Sequence, residues 1–229
     1  MFVTPLIYCA RSSIPHLTRR GASLQLTAIF ETWHLGDGNY PPLHNGQLVN
    51  LSFEFSPYSL SKSTKPKPSK FEQVKDAEYS FAGTVLKVYG KPPKGKLVVV
   101  QAEDFRFYIN SFPTHSPVLK EGDRCEGFGR LLLDHYIWVE SLSSYKDPPD
   151  LFYSLRLTGI RAVKIPDAFI SRTANAQAGP ASLGQDDYSN DDIQEVERME
   201  ASHGDWSFYL VTFDDSDVGS VKIPRTFHT

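Results

Sequence analysis

Arg124-Cys125-Glu126-Gly127-Phe128-Gly129-Arg130-Leu131-Leu132-Leu133, residues 124–133, sets small residues and charged or aromatic residues on alternate positions. Period-two alternation marks a strand with one buried face, and here Cys125, Gly127 and Gly129 share the inward side. Glycine at successive inward positions suits a sharply coiled strand that a neighbouring backbone approaches closely. Upstream, 81–89 leads through Gly90-Lys91-Pro92-Pro93-Lys94-Gly95 into a strand at 97–101. Residues 104–110 then place Phe105, Phe107 and Ile109 on one face, with Arg106, Tyr108 and Asn110 on the other. Downstream, His135, Ile137 and Val139 alternate with Tyr136, Trp138 and Glu140. Short curved strands, glycine kinks and few helices predict a mainly β chain built on a small OB-like barrel over 79–170, with a strongly coiled antiparallel sheet or open sandwich as the competitor. Its core is expected to hold Phe105, Phe107 and Ile109.

Working outward, Leu24, Leu26, Ala28 and Phe30 share one face, and Val49, Leu51, Phe53 and Phe55 share another. These read as an N-terminal strand pair over 23–58, preceded by a disordered leader at 1–22. Residues 59–78 carry Lys62, Lys65, Lys67, Lys70 and Lys75 around Pro66 and Pro68, a composition that predicts a basic flexible linker. Beyond the barrel, 171–190 reads as a loop. Asp191 and Asp192 then precede Ile193, Val196 and Met199 at helical spacing, which predicts an acidic helix and C-terminal strands over 191–229 packing on the barrel. The run from Phe152-Tyr153 to Val163-Lys164-Ile165-Pro166 is echoed from Phe208-Tyr209 to Val221-Lys222-Ile223-Pro224. The echo predicts two equivalent hairpin edges, each ended by proline.

The 229 residues are 40% apolar and 22% charged, ordinary values for a folded domain. No stretch approaches the ~20 apolar residues that span a bilayer, so no membrane role is expected. Two cysteines, Cys9 and Cys125, are too few for a disulfide framework, and a reducing cytoplasm is the expected location. The net charge of −3 conceals an asymmetry: residues 1–110 hold 13 Lys and Arg against 8 Asp and Glu, whereas 111–229 hold 11 against 19. Residues 186–217 contain 11 acids opposed only by Arg198, and such separation points to a partner, or a self-contact, of opposite sign.

No catalytic signature is present: there is no Gly-x-Ser-x-Gly, no phosphate loop and no dinucleotide fingerprint. Cys125 falls on an inward strand position and reads as a small core residue. The spacing of His34, Asp37 and His44 matches no metal site, and Asp214-Asp215-Ser216-Asp217 lacks the ordered ligands of a calcium loop. No cofactor or metal is expected. Two surfaces remain. The first is acidic and consists of Asp186, Asp187, Asp191, Asp192, Glu195, Asp214, Asp215 and Asp217, suited to a basic protein partner. The second interleaves cations with rings, Arg106, Tyr108, Arg124, Phe128, Arg130 and Trp138, a pattern on which single-stranded nucleic acid stacks and neutralises its phosphates. The leading expectation is a non-enzymatic cytoplasmic binding module, an inhibitor or immunity-type protein using the acidic surface. The alternative is an OB-like binder of single-stranded nucleic acid.

Overall fold

The structure is a computed structural model, and it describes residues 24–36, 40–64, 68–90, 97–134, 137–138, 145–164, 189–200 and 208–215. Its strands are β1 (Gln25–Glu31), β2 (Leu48–Leu51), β3 (Phe53–Lys62), β4 (Lys70–Lys75), β5 (Glu78–Tyr89), β6 (Leu97–Ala102), β7 (Phe105–Ile109), β8 (Arg124–Leu133), β9 (Tyr153–Val163), β10 (Ile193–Glu195) and β11 (Phe208–Asp214). A four-residue helix, α1 (Trp33–Gly36), follows β1. Among the described residues no helix is long and apolar enough to cross a membrane.

Five strands close a small barrel. β8 pairs antiparallel with β3 and with β5, β5 with β6, and β6 with β7, and a parallel contact between Glu54 of β3 and Tyr108 of β7 completes the ring. Counted from β5, this is the first-second-third-fifth-fourth order of an OB barrel. β3 takes the fifth place although it precedes the other four in the chain. The inward face carries Phe55, Phe81, Phe107, Ile109 and Cys125, all buried.

A second circuit of pairing uses the other end of the same ribbon. Leu132 of β8 contacts Ile29 of β1 in parallel, β1 pairs with β11, β11 with β9, and β9 with β2. β2 runs through Ser52 directly into β3. Both parallel junctions fall at one level, because Glu54 is the cross-strand partner of both Tyr108 and Leu132. The core is continuous across them: the Phe53 ring lies 5.6 Å from Phe105 in the first circuit, and 6.1 Å from Tyr153 and 6.0 Å from Phe213 in the second.

The architecture corrects several expectations. The barrel runs over 53–133 and not 79–170, since period two reports which face is buried and not which strand lies alongside. The N-terminal strands do not pair with one another; β1 lies between β11 and β8, and β3 belongs to the barrel. The expected linker at 59–78 contains the end of β3, all of β4 and the start of β5. β4 needs only one inward side chain, Phe71, stacked 4.6 Å from the Tyr79 ring, so its outward lysines are compatible with a strand. In place of a helix after Asp191, a 3-10 turn (Asn190–Asp192) leads into β10. The Val196 and Met199 amides donate to the Ile160 and Leu43 carbonyls, so neighbouring chain takes the hydrogen bonds a helix would keep. Ile137 and Trp138 have helical backbone where a strand was expected. β9 and β11 are interior neighbours, with Phe208 opposite Val163, and so are not equivalent edges. The leader, most of the 171–190 loop and the second Val-Lys-Ile-Pro lie outside the described residues.

The glycines of β8 are close-approach positions, as expected. A Cβ on Gly129 would lie 2.3 Å from the Ser56 carbonyl oxygen and 2.6 Å from Pro57 Cα, backbone atoms that cannot swing aside. Gly129→Ala is therefore expected to lower the unfolding free energy by about 1–3 kcal/mol, the usual cost of overpacking. Gly159→Ala is the control, since its nearest neighbour would be Thr212 Cβ at 3.7 Å, and it should cost no more than about 0.5 kcal/mol. Urea denaturation of both variants checks the pair.

Candidate functional site

The structure does not assemble the six cationic and aromatic positions into one surface. Tyr108 and Trp138 are both 0% exposed, and Trp138 stacks over Tyr108 at 6.2 Å between ring centroids. With Leu97, Val99 and Leu151 they form a cluster that seals the outer face of β6 and β7. The Tyr108 hydroxyl donates to Asp134 Oδ1 at 2.5 Å and lies 3.1 Å from Glu54 Oε2. Asp134 also accepts from the Ser52 hydroxyl at 3.0 Å and from the Trp138 amide at 3.1 Å, and its carbonyl accepts from the Tyr40 hydroxyl at 2.9 Å. Burial, followed by the Asp134 and Glu54 charges, pushes the Tyr108 phenol far above its ordinary range. Arg106 turns to its own hairpin, donating from Nε to Gln101 Oε1 at 3.1 Å, and its amide donates to the Tyr153 hydroxyl at 2.6 Å.

The β8 positions lie on a different part of the barrel, across the outer face of β3, β8 and β5. Arg124 is half-buried and donates to Thr84 Oγ1 at 3.0 Å. Arg130 is 4% exposed, 3.9 Å from Glu78 and 5.3 Å from the centroid of the Tyr58 ring. Phe128 is half-buried and meets Tyr58 edge-on at 5.5 Å. Tyr58 was not singled out from the sequence. The pairing register slips between Pro57 and Ser59, so Tyr58 is the extra residue of a β-bulge, a device that re-aims a side chain. The residue is 38% exposed and its hydroxyl donates to Glu78 at 3.1 Å.

Beside these residues lies an open cleft of about 510 Å³ with Ser59, Ser61, Ser80, Ala82, Glu126, Lys70 and Pro68 in its wall. Ser61, Glu126 and Ala82 form one cross-strand row, and Ser59, Phe128 and Ser80 form the next. Small side chains on β3 and β5, Ser59, Ser61, Ser80 and Ala82, flank β8 there, and Pro68 adds to the lining. The signal for it in the sequence is the continued alternation of Ser59 and Ser61 around buried Leu60.

Of the eight acidic positions, Asp186, Asp187 and Asp217 lie outside the described residues. Asp192 accepts from the Ser189 amide at 2.7 Å and its hydroxyl at 2.8 Å, and these bonds hold its carboxyl below the usual carboxylate range. Asp215 accepts from the Leu24 amide at 2.7 Å, and Asp214 is half-buried opposite Gln25. Asp191 and Glu195 are exposed, as are Glu197 and Glu200, which were not named individually.

Among the described residues, no group of three or more potential ligands could hold a metal ion. His34 is buried and stacked 3.7 Å from Trp33, while His44 is exposed on a separate turn. Burial, then the Asp123 charge, pushes the Cys125 thiol up to about 12, leaving it protonated and unreactive at neutral pH. Comparisons with protein-family models, curated proteins and solved structures found no match.

Three phenols couple the fold to pH. The Tyr79 hydroxyl donates to the Thr27 carbonyl at 3.2 Å and accepts from its amide at 2.8 Å, joining β5 to β1. Burial pushes Tyr79 up to about 12 and raises Tyr108 and Tyr153 as well. Unfolded phenols ionise near pH 10, so above that pH the folded state holds more protons than the unfolded state and loses stability. The melting temperature is expected to stay level up to about pH 9 and to fall steeply above about 10, with tyrosinate absorbance appearing as the fold is lost. Thermal melts across the alkaline range check this, and an unchanged melting temperature there would contradict it.

Proposed function

We propose that the chain is a non-enzymatic binding module that engages a basic protein surface through the acidic segment 189–200, in the manner of an inhibitor or immunity-type protein working in a reducing cytoplasm. One observation carries this reading: Asp191, Glu195, Glu197 and Glu200 are exposed along a short stretch whose backbone is pinned. The Asn45 amide donates to the Glu197 carbonyl at 2.9 Å, and Glu200 exchanges two hydrogen bonds with the Tyr209 hydroxyl at 2.9 and 2.7 Å. None of the four side chains is tied into an ion pair among the described residues. A fixed row of carboxylates presents its field without having to be ordered on binding, and such fields raise association rates and reject wrong partners. Among the described residues β10 pairs with β9 alone, which places the row beside a strand edge, where charge also suppresses non-specific pairing.

Less supports the nucleic-acid reading. Of its six residues only Arg124 and Phe128 sit half-exposed on a common strand, because Tyr108, Arg130 and Trp138 are buried and Arg106 is held on β7.

The variant Asp191→Asn/Glu195→Gln/Glu197→Gln/Glu200→Gln tests the proposal. Wild-type protein coupled to beads is expected to capture a basic protein from native extract at low salt and to release it as salt rises. The variant should associate about 10- to 1,000-fold more slowly, the range typical of electrostatic steering, with an unchanged melting temperature. Equal capture by the two proteins would remove the acidic segment from the binding site.

A further inference from the structure

We propose that the cleft on the outer face of β3, β8 and β5 binds a short, uncharged oligosaccharide. The site is separate from the acidic segment and stands or falls independently of the partner reading. Its volume of about 510 Å³ lies within the range of small-ligand sites. Its floor is chemically specific. Ser59 and Ser61 are exposed, Ser80 is half-buried, and all three border the cleft. Hydroxyls donate and accept equally well, as do the hydroxyls of a sugar.

The adjoining rings supply a second element of carbohydrate recognition. Phe128 is the cross-strand partner of both Ser59 and Ser80, and the bulge turns Tyr58 toward it. Arg130 beneath the Tyr58 ring and Glu78 at its hydroxyl, 5.3 and 3.1 Å away, brace that ring, and the residue as a whole is 38% exposed. A braced, partly exposed ring costs little entropy to use as a platform, and the C–H face of a sugar packs on such a surface.

Charge decides against a phosphate chain. Lys70 pairs with Glu72 at 2.8 Å, Lys62 with Asp123 at 2.7 Å, and Arg130 with Glu78 at 3.9 Å. Cations already matched by carboxylates have little left with which to replace the counterions of a nucleic acid. Glu126 adds a carboxylate to the wall itself. A neutral polyol instead finds in the same carboxylate a strong hydrogen-bond acceptor.

The test is an array of neutral and acidic glycans, with a labelled single-stranded oligonucleotide alongside, probed with the full-length protein. The expected result is retention of neutral glycans, with affinity for the best of them nearly equal at low and high salt in a solution titration. Ser61→Trp, placed at an exposed position to fill the cleft, should abolish that binding at an unchanged melting temperature. Tyr58→Ala should weaken it about tenfold, ~1.4 kcal/mol. Failure to retain any neutral glycan overturns the proposal. So does binding confined to the oligonucleotide or to acidic glycans and lost steeply with salt, which would make the cleft an anion site. Full binding by Ser61→Trp would place the glycan elsewhere on the protein and also overturn it.

Discussion

The approach of β8 to β3 without intervening side chains is the constraint on which the rest of the molecule depends. β8 keeps β3 on one edge along its whole length, while its other edge passes from β5 to β1 near Leu132. A strand that serves two circuits in this way must coil, and coiling brings its inner face against the neighbouring backbone. Gly127 and Gly129 make that contact sterically feasible. The volume they give up is occupied by rings: a Cβ on Gly127 would fall 2.6 Å from Phe81 Cε1, and Phe81 meets Phe55 edge-on at 5.0 Å. Small residues on β8 and large ones on β3 and β5 are thus one packing solution, and neither half works alone.

Handing the ribbon from one circuit to the other leaves polar groups at the junction. Glu54 projects there between Tyr108 and Leu132, and Asp134 follows directly after β8. Buried carboxylates are tolerated only when hydrogen-bonded, and the hydroxyls of Tyr108 and Ser52 and the Trp138 amide meet that requirement for Asp134. Trp138 is brought over the barrel by the same bonds and covers β6 and β7. The rings that resemble a stacking platform in the linear sequence are therefore spent on the protein's own second layer, which is why the expected nucleic-acid face is closed.

What was legible in the sequence was local. Phe105, Phe107, Ile109, Cys125 and the β8 glycines were placed on the correct face because alternation depends only on neighbouring residues. The role of β3 was not legible, because its barrel partners lie up to 80 residues further on, as in Phe53 to Leu133, and no local pattern records them. Ile193, Val196 and Met199 have the spacing of a helix face, yet each is buried or half-buried against other elements by an extended chain; three contacts three residues apart do not distinguish the two. On the outer face of β3, β8 and β5, Arg124 and Phe128 read as outward from the alternation, whereas Tyr58 was hidden by the bulge, which adds one residue and breaks the alternation.

The two exposed faces differ in the range over which they act. On the β3–β8–β5 face Lys62, Lys70 and Arg130 each have a carboxylate within 4 Å, and a close pair presents only a dipole, whose field dies away before salt screening is considered. Asp191, Glu195, Glu197 and Glu200 are exposed and, among the described residues, tied into no ion pair, and the field of such carboxylates extends to about the Debye length of ~8 Å in physiological salt. In the proposed function the acidic segment would draw in a charged surface before contact. In the proposed glycan site the cleft would discriminate at contact, through shape, ring faces and hydroxyl geometry. The two proposed sites would combine a long-range filter for charge with a short-range filter for shape on different parts of one sheet.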